Sequence, residues 1–153
     1  MPANPSVSDL TSHLGYWLRM VSNHVSHAFA VKLAGEDVTV AEWSFMRALY
    51  GREPTPPSRL AVAMGMTKGA ITKLADRLIA KSLVTRAANA NDGRAQTLVL
   101  TVRGAALVPK LAALADGNDA EFFECLTGSE RALLERLLMR MVEHHRLGAT
   151  PVE

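Results

Sequence analysis

The stretch LAVAMGMTKGAITKLADRLIAKSLVTR, residues 60–86, decides the fold that this sequence predicts. Within it, Ala61, Gly65 and Ile71 stand four and six residues apart. A small residue lets a second helix come close to the first, a glycine relieves the turn, and a branched apolar residue on the second helix holds the pair together. The stretch therefore predicts two short helices that pack across a tight turn.

An antiparallel hairpin is predicted directly after the second helix. Residues 83–87 (LVTRA) and 96–100 (QTLVL) are rich in β-branched or apolar side chains, and the residues between them include Asn91, Asp92 and Gly93. Two such strands joined by an Asn, Asp and Gly loop form a hairpin. Two packed helices followed by a hairpin resemble the winged helix-turn-helix of bacterial regulators, although an ordinary corner between two helices obeys the same packing rules.

Charge is unevenly distributed along the chain. Residues 59–103 hold eight basic and two acidic side chains, a net charge of +6, whereas the remaining residues hold nine basic and 13 acidic side chains, a net charge of −4. A basic middle third is typical of a surface that binds a polyanion such as nucleic acid. A solvated charged face without a partner is the alternative.

Amphipathic helices are predicted on both sides of the central segment, because apolar residues recur there at steps of three and four. Capping boxes, Thr39 with Glu42 and Thr127 with Glu130, each open one of them. The expected helices are 8–33 (ended by Gly35), one from Thr39 to about Gly51, 58–66, 67–82, 101–115 (kinked at Pro109) and 129–147. The side chains expected to be buried on the second and fourth helices are Trp43, Met46, Leu49 and Tyr50, and Ile71, Leu74, Leu78 and Ile79.

Length and composition limit the class of protein. A chain of 153 residues fits a single domain, and 48% apolar residues exclude a wholly disordered chain. No apolar run approaches the roughly 20 residues of a membrane span, and the first residues lack the basic and apolar regions of a signal peptide. Cys125 is the only cysteine, which excludes an internal disulfide framework and favours a cytoplasmic location.

Nearly the whole chain resembles the MarR family of transcriptional regulators. Residues 38–50 (VTVAEWSFMRALY) look like the second helix of that family, 60–66 like its first helix-turn-helix segment, and 67–86 like its recognition helix and first wing strand. The most specific part is DGRAQTLVLTVRG, residues 92–104, which is similar to the family's Asp-x-Arg wing signature followed by Leu-Thr-x-x-Gly. The sequence departs from the pattern at Ser82, where glycine is more common.

The resemblance implies a mainly α fold: a winged helix-turn-helix with a two-stranded β-hairpin wing, and a helical dimerisation domain built from the N- and C-terminal helices. Residues 1–37 and 101–153 are then the dimerisation region, and residues 38–100 the DNA-binding domain. The expected partners are a second copy of the chain and double-stranded DNA with a pseudo-palindromic operator, whose successive major grooves, roughly 10 base pairs apart, receive the two recognition helices. A single-chain core is the alternative use for the apolar residues of the last helix, which are Leu133, Leu137, Leu138 and Met141.

The candidate DNA contacts lie on the recognition helix and in the wing. On the helix, exposed positions alternate with the buried stripe, and their hydroxyl and ammonium groups can donate to base edges or phosphates. Arg77 is expected on the phosphate backbone or in an ion pair near Asp76. In the wing, the resemblance implies that Asp92 orients the loop and that Arg94 reaches the minor groove. The full set is Thr67, Lys68, Gly69, Thr72, Lys73, Arg77, Asp92 and Arg94, with Arg86 and Arg103 as supporting phosphate candidates.

Sensing chemistry is only weakly specified by the sequence. The resemblance implies a repressor that is released by a small aromatic or phenolic ligand, by an oxidant or by a metal, with a pocket where the first two helices meet the fifth. The tentative lining residues are His13, Trp17, Trp43, Met46 and Tyr50, for which ordinary core packing is the alternative. Cys125 is expected to be a buried, inert thiol, since no base lies near it to activate it.

Neither a cofactor nor a metal site is expected. His24 and His27 share a helix face without an acid at helical spacing, and the adjacent pair His144 and His145 cannot both face one ion from a helix. An enzyme is disfavoured, because the sequence contains no Gly-x-Ser-x-Gly, no His-Glu-x-x-His and no phosphate-binding glycine loop. The prediction is therefore a sequence-specific DNA-binding transcriptional regulator. A winged-helix module that binds protein instead of DNA is the alternative.

Overall fold

The computed structural model describes residues 6–88 and 96–148 of the chain. Within them it contains six α-helices and a two-stranded antiparallel sheet, so the predicted mainly α class with a hairpin wing is confirmed. In chain order the elements are a one-turn 3-10 helix Leu10–Ser12, α1 Leu14–Ala34, α2 Val40–Leu49, α3 Pro57–Met64, α4 Lys68–Ala80, β1 Val84–Ala88, β2 Gln96–Leu100, α5 Val102–Phe122 and α6 Gly128–His144.

Two of the predicted helix boundaries, the start of the first helix and the end of the fifth, are clearly wrong, whereas the others differ by a few residues at most. The first helix does not start at residue 8, because His13 is extended and separates the 3-10 turn from α1. At its other end Gly35 remains right-handed (φ −62°), and Asp37 takes the left-handed conformation at φ 57°. The fifth helix passes through Pro109 and continues to Phe122 instead of ending at residue 115, since Asn118 and Glu121 of its later turns bond to α1.

Side-chain caps define the starts of four helices, and the capping boxes predicted at Thr39 and Thr127 are among them. The hydroxyl of Thr39 accepts a hydrogen bond from the Glu42 backbone N–H at 3.1 Å, while the Glu42 carboxylate accepts one from the Thr39 N–H at 3.2 Å. Thr127 and Glu130 form the same reciprocal box on α6, whereas Thr67 on α4 and Thr101 on α5 cap through the hydroxyl alone. The turn between α3 and α4 depends on Gly65, whose φ of 63° is left-handed.

One hydrophobic core lies between α2, α3, α4 and the base of the hairpin, and it is closed by Leu33 of α1 and by Val108 and Leu111 of α5. From α4 it receives Ile71, Leu74 and Leu78. The predicted inward face of α2 is partly wrong, because Phe45 is fully buried whereas Tyr50 is exposed and Trp43 only half-buried. The remaining buried apolar residues are Val38, Met46, Leu49, Leu60, Met64, Ala75, Leu83, Val84 and Leu98.

The base of the hairpin is fastened on two sides. Val84 pairs with Leu100 at the inner end of the hairpin. Thr55, just before α3, exchanges two backbone hydrogen bonds with Leu98, of 2.9 and 2.8 Å. On the other side, the Thr101 N–H donates to the Leu83 carbonyl at 3.1 Å, and the Thr101 hydroxyl donates to the Ser82 carbonyl at 2.8 Å. The wing is thereby tied to α3 and α5 as well as to α4.

The start of α5 touches the start of β1 so closely that a side chain does not fit between them. A Cβ atom on Gly104 would lie 2.0 Å from the Leu83 carbonyl oxygen. This contact gives a physical reason for the glycine in the Leu-Thr-x-x-Gly stretch, residues 100–104.

Cys125 is exposed, so the expectation of a buried thiol is wrong for the single chain. Its neighbours Phe122, Phe123 and Leu126, at the end of α5 and in the turn that follows, are half-buried. Among the described residues, no helix is both long and apolar enough to cross a membrane.

Candidate nucleic-acid interface

The first half of α4 presents a polar face to solvent. Lys68, Gly69, Thr72 and Lys73 are all exposed, while the alternating apolar stripe of the same helix enters the core. Thr67 lies at the N-cap, where its hydroxyl accepts the Ala70 N–H at 3.1 Å. The same periodicity that buries one side of α4 therefore leaves the predicted contact residues free to meet a partner.

This face is electropositive for two reasons. The N-terminal end of a helix carries a partial positive charge and unpaired N–H groups. Lys68 and Lys73 add two full charges, and neither makes an ion pair with any residue within 6–88 or 96–148. A Cβ on Gly69 would meet no atom within 4 Å, so the helix surface there is open to a close approach.

Arg86 of the wing is paired with the recognition helix. Its guanidinium lies 2.6 Å from the Asp76 carboxylate, which joins β1 to α4. Arg103, the other supporting candidate, donates to the Lys81 carbonyl at 3.3 Å. The positions of Asp92 and Arg94 lie outside the described residues, and their assignment to the wing signature stays a prediction.

Arg77 forms an ion pair, but not in the neighbourhood of Asp76 as expected. Its guanidinium donates to Glu42 of α2 at 3.0 Å. Lys81, one turn further along, lies 2.9 Å from the second oxygen of the same carboxylate. Sequence reasoning missed Glu42, because a capping-box glutamate carries no local sign that two distant cations will surround it.

Electrostatics at Glu42 favour its charged form. Burial by itself raises the pKa of this carboxyl. Hydrogen bonds from Lys81 and Thr39, together with the charge of Lys81, outweigh burial and hold the pKa of Glu42 below its ordinary value. Glu42 is thus an ionised carboxylate inside the contact between α2 and α4.

A cleft of about 370 Å³ opens beside the exposed face of α4. It lies between the start of α3, the recognition helix and the two strands. Its lining includes Lys68 and Thr72 of α4 and Arg86 of β1, together with Pro56, Pro57, Ser58, Ala75, Gln96 and Leu98. The cleft separates the recognition helix from the wing.

The five residues predicted to line a ligand pocket do not come together in the single chain. Trp43 packs edge-on against Phe29, with ring centroids 6.3 Å apart. Trp17 stands twelve residues before Phe29 on α1, which at the helical rise is about 18 Å away. Its indole donates to the Thr11 carbonyl at 2.9 Å, and 47% of its surface is exposed. His13 and Tyr50 are exposed and Met46 is fully buried in the core.

Two helices packed across a glycine turn, a basic exposed face on the second helix and an adjoining hairpin define a winged helix-turn-helix DNA-binding protein. Known proteins agree with this class. The profile described as MarR family matches residues 36–95. The multiple antibiotic resistance protein MarR of Escherichia coli strain K12 is 31% identical over 142 residues, which cover 90% of this chain and 98% of that protein. The HTH-type transcriptional repressor NicR of Pseudomonas putida is 24% identical over 142 residues, 93% of this chain and 90% of the relative.

A solved structure gives the same result for the fold. The mutant MarR of E. coli in complex with operator DNA superposes with a TM-score of 0.76 at 29% identity, over 88% of this chain and 99% of that one. The chain belongs to the MarR family, and it is a DNA-binding transcriptional regulator.

Proposed function

We propose that the protein is a homodimeric repressor that places the exposed face of α4 in the major groove of a pseudo-palindromic operator. The observation that carries the proposal is the face formed by Lys68, Gly69, Thr72 and Lys73, which is exposed, cationic and anchored from behind by the core. Thr67 at the N-cap lies beside it. Arg94 is assigned to the minor groove and Asp92 to the support of the wing, on the family resemblance.

Exposed apolar side chains support a dimer built from the terminal helices. No residue of α6 is fully buried in the single chain. Large apolar side chains on both terminal helices are each at least 40% exposed: Leu137, Leu138 and Met141 on α6, and Leu14 and Leu18 on α1. A cavity of about 440 Å³ runs along α6 beside the end of α5. Large apolar side chains exposed in such numbers mark a protein interface. We therefore assign dimerisation to residues 1–37 and 101–153, and DNA binding to 38–100.

A small aromatic or phenolic effector belongs to the proposal on the family resemblance alone. Trp17 and Trp43 lie in separate places in the single chain, so no pocket is assigned to the effector. The protein acts as a regulator without a catalytic role, in the cytoplasm where its DNA is found.

The test compares Lys73→Ala with a matched control, Lys110→Ala. Lys73 lies on the exposed face of α4, whereas Lys110 lies on α5 and pairs with Glu36 at 2.9 Å. An operator is first selected from genomic fragments by the wild-type protein. Fluorescence anisotropy then measures the affinity of each protein for that operator across a series of salt concentrations.

Lys73→Ala is expected to weaken operator binding at least about tenfold and, if the ammonium meets a phosphate in each half-site, to lower the salt slope by about 2. Lys110→Ala is expected to bind as the wild type does. Equal binding by both variants would contradict the assignment of α4. Failure of the wild type to select any DNA would favour the protein-binding alternative.

A further inference from the structure

Glu42 is more completely enclosed than its place in a capping box requires. Its side chain is fully buried at the start of α2, where one carboxylate oxygen accepts the Thr39 N–H. The same carboxylate receives Arg77 of α4 at 3.0 Å and Lys81, the C-cap residue of α4, at 2.9 Å. Lys81 also donates to the Asp37 carbonyl at 2.6 Å. A single acidic group therefore joins the second helix to the far half of the recognition helix.

The chain itself contains a comparison for this arrangement. Glu130 closes the capping box of α6 with the same two hydrogen bonds, to Thr127, of 2.9 and 3.2 Å. Its carboxylate is exposed, and no cation within 6–88 or 96–148 pairs with it. A capping box thus forms here without burial and without Arg or Lys partners. The enclosure of Glu42 needs a different explanation.

The position of Arg77 on α4 explains why Glu42 is enclosed. Lys73 and Arg77 are one helical turn apart, so both lie on the side of the helix that carries the candidate contacts. Lys73 has no partner among the described ion pairs, whereas the Arg77 guanidinium is turned back toward α2 and held by Glu42. Half of the Arg77 side chain stays exposed (52%), so a freed guanidinium could reach a nearby phosphate.

We propose that Glu42 is a positioning residue for DNA recognition. Through Arg77 and Lys81 it fixes the recognition helix against α2, and it withholds the Arg77 guanidinium from the phosphate backbone. A fixed helix presents its polar face to one arrangement of base edges, while a withheld cation lowers the affinity for DNA of any sequence. The first effect raises the discrimination between operator and other DNA. The second lowers the affinity and the salt dependence of binding to all DNA and leaves that discrimination unchanged. The proposal rests on the proposed function.

The experiment measures two quantities for each variant: the ratio of affinities for operator and scrambled duplex, and the salt slope on scrambled duplex. Glu42→Gln is expected to lower the ratio at least fivefold and to steepen the slope, by up to about 0.9 for each Arg77 that gains a phosphate. Glu130→Gln, the matched control, is expected to change neither quantity. The double variant Glu42→Gln with Arg77→Gln is expected to recover the wild-type slope but not the ratio.

Arg77→Gln keeps the test decisive if Glu42→Gln does not fold. A withheld guanidinium makes no phosphate contact, so this variant is expected to leave the slope on scrambled duplex unchanged while it weakens operator binding. A slope lower by about 0.9 or more, as a direct phosphate contact implies, would overturn the proposal. An equal loss of both affinities in Glu42→Gln would also overturn it, because that is the result of less folded protein. A wild type that does not discriminate between the duplexes would refute the proposed function itself, before any variant is measured.

Discussion

Replacing Gly104 by alanine should destabilise the junction between the wing and α5. The new Cβ would lie 2.0 Å from the Leu83 carbonyl oxygen and 3.0 Å from its carbon, whereas Cβ atoms in proteins essentially never come within 3.0 Å of such atoms. The two segments must therefore move apart by about 1 Å, because the Leu83 carbonyl oxygen and carbon belong to the backbone and cannot rotate away as a side chain would. That movement also strains the hydrogen bond from Thr101 to the same carbonyl, which is 3.1 Å long.

The expected cost follows from three contributions. Overpacking of this kind costs about 1–3 kcal/mol, and the weakened hydrogen bond about 1 kcal/mol. The higher helix propensity of alanine offsets about 1 kcal/mol of this loss of stability. The free energy of unfolding should thus fall by about 2 kcal/mol, which lowers the urea midpoint by about 1 M for an m-value near 2 kcal/mol/M.

The assay is urea unfolding followed by circular dichroism at one fixed protomer concentration, because the stability of a dimer depends on concentration. Gly117→Ala is the matched control, since it lies on the same helix and its Cβ would meet no atom within 4 Å. The control should raise the midpoint slightly through helix propensity alone. If Gly104→Ala raised the midpoint as much as Gly117→Ala does, the close approach of α5 and β1 would be refuted.

Three other perturbations have defined outcomes. Ser82→Gly should stabilise the protein by about 0.5 kcal/mol in the same urea assay, because Ser82 adopts a left-handed backbone conformation with φ 60°. Relief of that strain exceeds the entropic cost of the extra freedom that glycine has in the unfolded chain. A lower urea midpoint would contradict this expectation. Leu138→Glu on α6 should convert the dimer to a monomer in analytical ultracentrifugation, whereas Val62→Glu on the exposed side of α3 should leave the dimer intact. A Leu138→Glu variant that remains dimeric would argue for a different interface. The pKa of Glu42 is lowered on folding, so its ionised form stabilises the protein at pH values above the ordinary pKa of 4.5, and this stabilisation is lost as the pH falls below that value. The stability difference between wild type and Glu42→Gln should therefore shrink between pH 7 and pH 3. A constant difference would argue against an ionised Glu42.

Local sequence patterns were sufficient for the helix-turn-helix and the hairpin. The turn at Gly65 and the caps at Thr39, Thr67, Thr101 and Thr127 each depend on residues within a few positions of one another. The alternation of buried and exposed residues on α4 likewise follows from helical period alone. These features set the position of the contact face before any tertiary contact is known.

Contacts between distant segments could not be read in this way. Arg77 and Lys81 bind Glu42 although they lie 35 and 39 residues away in the sequence. No residue near Glu42 in the sequence predicts these two ion pairs. The contact of Gly104 with Leu83 depends on how α5 docks on the wing. The family resemblance predicts that Trp17 and Trp43 share a pocket because both lie on helices that meet, but their places along those helices keep them apart. Two side chains on neighbouring helices are close in space only if they also lie at matching positions along those helices.

The central claim, two recognition helices that read successive major grooves, is tested most directly by the spacing of the half-sites. Anisotropy is measured on the selected operator and on the same operator with five base pairs inserted between its halves, which turns one half-site to the opposite side of the duplex. We predict that the insertion lowers affinity toward that for scrambled DNA, by roughly a thousandfold. Equal affinity for the two duplexes would contradict the account.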